Sequence, residues 1–313
     1  MIRGGAIGDF ILTLPAIAAL RKQFPGVHLE ILGYPHIIQL AVEAGLADRA
    51  QPIEARGLAG FFARGGELEP DLVDYFSEFD LIVSYLYDPD AIFQFNVARC
   101  TTAQFIAGPH RPDERLGVHA TSVFLKPLER LAIFEADNVP RLSLGPKPFD
   151  TQDSTSKAMI EPRQIALHPG SGSERKNWPE NRWAELVQRL INSTRSNLLM
   201  IGAEAEAERL QRLAAALPPA RVRVAQSLPL TDLTRLLNRC SAFVGHDSGI
   251  SHLAAAIGLP GVLLWADTPE EIWRPPSQKM RILRDPGGIS HVPVEPVFER
   301  LLALDVELGQ KTC

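Results

Sequence analysis

The chain has 313 residues, of which 45% are hydrophobic and 22% charged, the proportions of a globular protein long enough for two ordinary domains. Its net charge of −5 leaves no basic footprint for nucleic acid. No apolar run reaches the roughly 18–20 residues of a membrane helix, no basic segment precedes an apolar one as in a secretory leader, and the three cysteines (Cys100, Cys240, Cys313) match no metal spacing or disulfide framework. They are expected to be reduced cytosolic thiols, with Cys240 in the core.

The chain opens on Arg3-Gly4-Gly5-Ala6-Ile7-Gly8-Asp9, and from Phe10 the apolar residues Ile11, Leu12, Leu14, Ile17 and Leu20 recur at helical spacing. Pro15 is expected in a first turn or at a bend. A parallel strand–helix–strand unit should begin with a strand of about five or six residues. Only Met1, Ile2 and Arg3 stand before the glycines, so the first strand is expected to be stunted, or the true start to lie upstream. Strands are then expected at 28–33, 49–53, 81–84 and 105–108, and helices at 37–44, 68–76, 91–100 and 120–133, the last with a kink at Pro127. Residues 57–66 read as a mobile surface helix or loop, and 109–114 as a polar loop.

Residues 144–162 lack periodicity and are rich in Pro, Ser, Thr, Asp and Lys, a linker composition. A second alternating series follows. Its strands are expected at 164–167, 197–201, 222–225, 242–244 and 261–265, and its helices at 180–191, 205–217, 232–238 and 249–257. A final helix covers 294–308. Alternation of this kind predicts parallel α/β sheets, whose ligands sit beyond the carboxyl ends of the strands.

Three stretches carry candidate chemistry. In the first, the apolar run Ala242-Phe243-Val244 stops at Gly245-His246-Asp247-Ser248-Gly249, and an apolar helix follows. Asp247 and Ser248 are good N-caps, Gly258 is placed as a C′ glycine, and the turn leaves amides at the positive end of a helix, a fit for phosphate or diphosphate. In the second, His168-Pro169-Gly170-Ser171-Gly172 runs on to Lys176-Asn177-Trp178-Pro179 at the mouth of a strand. It offers hydroxyls, amides and an ammonium to an oxyanion, although it is neither a P-loop nor a dinucleotide fingerprint. An ordinary loop with a solvated lysine fits it equally. In the third, Glu206 follows Gly202 where nucleotide folds often bind ribose, against the plain reading of Glu204, Glu206 and Glu208 as a charged helix face. Asp9 reads either as a first-turn cap or as a general base. Asp247, Ser248 and His252 lack the arrangement of a hydrolase triad. Asp88-Pro89-Asp90 reads as a turn, and Arg111, Arg115 and His119 as surface charge.

With these motifs in order, the chain resembles the bacterial lipopolysaccharide heptosyltransferases of glycosyltransferase family 9. The matching pieces are Gly8-Asp9-Phe10-Ile11-Leu12-Thr13-Leu14-Pro15-Ala16, the two glycine-containing stretches just described, Gly202 with Glu206, and Trp265-Ala266-Asp267-Thr268-Pro269 with Trp273-Arg274-Pro275. The resemblance implies an α/β GT-B fold, two Rossmann-like domains with an interdomain cleft. An acceptor domain would span 1–148, a nucleotide-sugar domain 149–293, and a C-terminal helix at 294–313 would pack back on the first domain. It implies inverting, metal-independent transfer of a sugar, heptose by kinship, from an ADP-linked donor to a lipid-linked core saccharide, with no further cofactor. Asp9 then matches the catalytic base, and Lys176, Ser171 and Gly172 match donor-phosphate binders. Ser248, Gly249 and His252 match the helix start that holds the diphosphate, Asp247 a donor-sugar contact and Glu206 the ribose ligand. The setting implied is cytoplasmic, with weak contact at the inner face of the inner membrane through the acceptor. Residues 57–115 match no substrate feature, and the short first strand leaves open the seating of Asp9. The alternatives are a non-catalytic nucleotide-sugar binder, or another two-domain Rossmann-like enzyme such as a sugar-nucleotide epimerase or a dehydrogenase.

Overall fold

The computed structural model describes residues 1–145 and 163–309. The chain divides into two compact units, Met1–Pro140 and Arg141–Cys313. Most of the expected linker lies outside the described residues.

The first unit comprises β1 (Ile2–Arg3), α1 (Ile7–Gln23), β2 (Glu30–Gly33), α2 (Pro35–Glu43), β3 (Arg49–Pro52), α3 (Pro70–Ser77), β4 (Leu81–Ser84), α4 (Ile92–Ala98), β5 (Gln104–Ala107) and α5 (Ala120–Leu125). Its five-stranded sheet has the order β3-β2-β1-β4-β5, and every pairing is parallel. β1 is indeed short, yet it is the central strand. Met1 O accepts from Leu32 N at 2.9 Å, and Ile2 O accepts from Tyr85 N at 3.0 Å, so both edges are paired. Pro15 lies in the interior of α1 rather than in its first turn, and the helix continues through it to Gln23.

Two expectations need correction here. Residues 57–66 are a surface segment with a buried anchor: a 3₁₀ helix, Arg56–Phe62, buries Leu58 and Phe61 against Phe76 and Phe93. Asn96 Nδ2 donates to the carbonyls of Phe61 (3.0 Å) and Ala63 (2.8 Å), sewing this turn to α4. The three-residue period and the flanking glycines hid the buried face from a 3.6-residue template. The helix expected at 120–133 stops being α-helical at Leu125 and continues as 3₁₀ over Lys126–Leu131, because Pro127 brings no N–H to the ladder.

The second unit comprises β6 (Gln164–Leu167), α6 (Glu180–Ser193), β7 (Asn197–Gly202), α7 (Ala207–Ala215), β8 (Val222–Gln226), α8 (Leu230–Leu237), β9 (Ala242–His246), α9 (Gly249–Ala256), β10 (Gly261–Leu264), α10 (Glu270–Trp273), β11 (Met280–Leu283) and α11 (Val294–Gly309). The six-stranded parallel sheet has the order β11-β10-β9-β6-β7-β8. α10 and β11 extend the series beyond the sequence reading. The stripe Trp183, Leu186, Val187, Leu190 and Ile191 on α6 has helical spacing and is buried on the sheet. Each such side chain contributes about 1.5–3 kcal/mol of transfer free energy. On α11 the stripe of Val294, Val297, Leu301 and Leu304 is buried in the second unit's own core.

Candidate functional site

In both sheets the strand order reverses beside the first strand of the unit, between β1 and β4 and between β6 and β9. Loops leaving neighbouring strands at such a point diverge to opposite faces and open a crevice. Asp9 and the Gly4-Gly5 turn follow β1, whereas the loops carrying Lys176 and Asp247 follow β6 and β9.

At the first reversal Asp9 is the third residue of α1, and its Oδ2 accepts from Ala6 N at 3.1 Å, so the cap reading is correct for one oxygen. Its side chain is 28% exposed, which leaves the carboxylate open to a ligand. Gly5 has φ +100°, and a Cβ there would stand 3.1 Å from that same Oδ2, so only glycine lets the turn close over the carboxylate. Sequence reasoning missed Arg3, which is 2% exposed. Its guanidinium donates to His110 O (2.9 Å) and Asp9 O (3.2 Å), lies 3.8 Å from Asp9 Oδ1, and covers the Phe124 ring at 4.5 Å. Burial pulls its pKa below the usual arginine value, and the nearby Asp9 charge opposes that fall. A cavity of about 520 Å³ opens beside Asp9, with Tyr85, Tyr87, His110 and Arg111 among its walls.

At the second reversal His246, at the end of β9, is 0% exposed. Its Nε2 accepts from Trp178 N at 2.9 Å, and its Nδ1 lies 3.2 Å from Gly170 O. Those partners require the neutral tautomer with the proton on Nδ1. One imidazole therefore ties together both ends of the loop that carries Ser171, Gly172 and Lys176. Arg209 of α7 holds the loop from outside, donating to Pro169 O at 3.2 Å and pairing with Glu174 at 2.9 Å. Burial pushes His246 down to about 3 and His168 to about 4. Neither role was legible: no spacing rule links position 246 to positions 170 and 178.

The expected donor residues gather around this loop. Lys176 Nζ is 2.5 Å from Asp247 Oδ2, an ion pair joining two residues whose roles were read separately. Ser248 is the N-cap of α9, accepting from Ser251 N at 3.4 Å, and its Oγ is 3.3 Å from His168 Nδ1. Gly249 begins the helix, where the first amides have no intrahelical acceptor, and His252 is buried one turn on. Gly172, at φ +69°, makes the left-handed turn in the loop. Ser171 braces that loop, with its Oγ 2.7 Å from Asn177 Oδ1 and 2.9 Å from Ser173 O. Glu206 Oε2 accepts from Ala203 N at 2.8 Å, a capping contact, while its side chain packs over Gly170, where a Cβ would come within 2.6 Å of it. Trp265 Nε1 donates to Thr268 O at 2.7 Å and folds its own loop.

Other sequence candidates have local roles. Asp88 accepts from Phe93 N (3.1 Å) and Gln94 N (3.0 Å) at the start of α4, and Asp90 pairs with Arg64. Arg111 and Arg115 are exposed and pair with Glu114 and Asp113, while His119 caps α5. Among the described residues no three His, Cys, Asp or Glu side chains converge as metal ligands, and no helix is long and apolar enough to cross a membrane.

Residues 130–292 match the family model described as glycosyltransferase family 9 (heptosyltransferase). Lipopolysaccharide heptosyltransferase 1 of Pseudomonas aeruginosa is 35% identical over 126 residues, which is 40% of this chain and 35% of that enzyme, so the chain matches about a third of that relative's length. Among solved structures, E. coli ADP-heptose lipopolysaccharide heptosyltransferase II superposes with a TM-score of 0.79 at 19% identity, covering 98% of each chain. An E. coli heptosyltransferase solved with ADP gives 0.75 at 20% identity, covering 97% of this chain and 98% of its own. The likeness of these structures is one of fold: two Rossmann-like units in the GT-B class.

Proposed function

The chain belongs to glycosyltransferase family 9, and on that premise we propose that it transfers a sugar, heptose by kinship, from an ADP-linked donor to a hydroxyl of a lipid-linked saccharide. The observation that carries the proposal is the meeting, at the second sheet's reversal, of the Lys176 ammonium with the open start of α9. Helix-start amides and a compact cation are what a departing diphosphate needs. Lys176 has three donors, so it can keep Asp247 while turning one toward a phosphate oxygen. Held there by Lys176, Asp247 faces the donor side and can accept from a sugar hydroxyl. The packing of Glu206 over Gly170 leaves its carboxylate beside the same loop, where a ribose would present hydroxyls.

The acceptor half of the reaction falls to the first unit. Asp9 takes the proton from the acceptor hydroxyl as that oxygen bonds to the anomeric carbon. The bond from that carbon to the diphosphate oxygen breaks, ADP leaves, and the configuration inverts. The family model does not extend to Asp9. Support for this residue is its place at a strand-order reversal, its partly exposed carboxylate and the cavity beside it. The test is a pair of variants assayed with an ADP-sugar donor. Asp9→Ala is expected to abolish transfer with ADP binding nearly intact, and unchanged turnover would remove Asp9 from the mechanism. Lys176→Ala is expected to weaken ADP-sugar binding, and an unaltered affinity would count against the phosphate role. The same assays decide for the non-catalytic alternative if ADP-sugar binds and no transfer or donor hydrolysis is detected.

A further inference from the structure

We propose that Arg209, acting through Glu174 and Asn177, is a positioning residue for Lys176, and that it gives the second unit a preference for a nucleoside diphosphate over a monophosphate. The inference rests on the reading of Lys176 as the phosphate cation. It names which phosphate that cation meets and what holds it there.

Lys176 closes a 3₁₀ turn, Glu174–Lys176, in the loop from β6 to α6. His246 fixes that loop at Gly170 and Trp178, on either side of the turn. A lysine is a point charge on a flexible stem, so it reaches a set place only if the backbone that carries it is set. Arg209 supplies a hold on the turn itself. Its side chain is 17% exposed, and its guanidinium donates to Pro169 O at 3.2 Å and to the two Glu174 oxygens at 3.0 and 2.9 Å. Glu174 also accepts from the Asn177 side chain, and Asn177 Oδ1 accepts from Ser171 Oγ at 2.7 Å. Arg209 first, and then Asn177, hold the Glu174 carboxyl below the usual carboxylate range, so it stays charged. The buried Nε of Arg209 goes without a hydrogen bond, and Glu180, 3.8 Å away, is bonded twice by Arg212 at 2.8 Å. The guanidinium is thus committed to the loop although one of its own donors stays unmet.

The selectivity follows from what stands at either end of the loop. Glu206, three residues before Arg209, takes the ribose in the proposed function, and Asp247, the ion-pair partner of Lys176, takes the donor sugar. The ammonium therefore stands toward the sugar end, at the outer phosphate, which a monophosphate lacks. Glu206 and Arg209 share the start of α7, so one helix end sets the spacing between the nucleoside and the cation.

The experiment is calorimetric titration of ADP and of AMP into the full chain and its variants. Lys176→Ala is expected to lower ADP affinity roughly tenfold and AMP affinity little. Arg209→Met and Glu174→Ala should each cut the preference for ADP over AMP several-fold. Arg209→Lys should recover part of the loss, because an ammonium can pair with Glu174 but lacks the fork that also reaches Pro169. In the Lys176→Ala background Arg209→Met should weaken ADP little further, since its effect runs through the ammonium. Glu174 is 81% exposed, so its loss leaves the fold in place. Thermal melts check each variant, and Glu174→Ala carries the test should Arg209→Met melt early. Equal weakening of ADP and AMP, or full additivity with Lys176→Ala, would make Arg209 a general support of the unit and overturn the proposal. Unaltered ADP affinity in Lys176→Ala would refute the phosphate reading itself. A loss there with wild-type affinities in the Arg209 and Glu174 variants would refute this inference alone.

Discussion

Replacing His246 with phenylalanine tests whether one buried imidazole holds the loop between Gly170 and Trp178. The substitution keeps an aromatic ring of similar size beside Trp183, which it now meets edge-on with centroids 5.5 Å apart, and removes both polar contacts. Trp178 N–H, buried and donating at 2.9 Å, loses its acceptor, and Gly170 O loses the Nδ1–H at 3.2 Å. An orphaned buried amide costs about 1–3 kcal/mol, and loss of the second, longer bond adds about 0.5–1 kcal/mol. The expected destabilisation is therefore about 1.5–4 kcal/mol, or roughly 3–16 °C in the melting of a unit this size. Calorimetry reads the stability, and titration with ADP reads the loop, whose Lys176 should hold phosphate less well once both anchors are gone. His246→Phe with wild-type melting and wild-type ADP affinity would refute the reasoning. A melt lowered with unchanged ADP affinity would confine His246 to a structural role.

Acid pH gives an independent reading of the same histidines. With folded values depressed to about 4 for His168 and about 3 for His246, the unfolded chain binds more protons than the folded one below the ordinary histidine value of about 6.5. Their contribution is fully retained above about 6.5 and declines as pH falls toward about 4, at up to about 1.4 kcal/mol per pH unit for each group. Urea midpoints taken across that window should fall, and more shallowly in His246→Phe; equal slopes would count against a neutral buried His246. Arg3→Met keeps an unbranched apolar side chain in the buried position but drops the guanidinium bonds and its stacking on Phe124. Turnover should fall several-fold while ADP affinity, which the proposed function assigns to the second unit, stays put, and Arg3→Lys should recover part of the loss. Phe61→Ala should cost about 3–5 kcal/mol in denaturant unfolding, because the side chain is 0% exposed. A cost below about 1 kcal/mol would restore the surface-loop reading of that turn.

Local patterns were enough to place most elements. Gln164–Leu167 was legible to the residue, because a short β-rich run between polar neighbours has one reading. The start of α9 was legible too, because Ser248 is the kind of residue that caps a helix, and Gly258, at φ +79°, is the kind that ends one. The pieces that failed, Leu58 with Phe61 and the short β11, depend on neighbours far along the chain: a buried 3₁₀ turn and a four-residue edge strand have too little period of their own to read.

The candidate site divides in the same way. Residue types suited to phosphate and proton transfer, Lys176, Ser248 and Asp9, stand in the amino-acid order itself, each in the glycine-containing segment or helix start that follows a strand. Which of them meet was decided by the sheet. β6 and β9 are neighbours although some 75 residues separate them, and that adjacency brings Lys176 to Asp247 and lets His246 hold the loop at Gly170 and Trp178. Hydrogen bonds and ion pairs reach only a few ångströms, so their partners are set by the parallel register and not by spacing along the chain. Arg3 shows the same dependence: as a residue type it announces a surface charge, and only the central position of a two-residue strand makes it the buried support of Asp9.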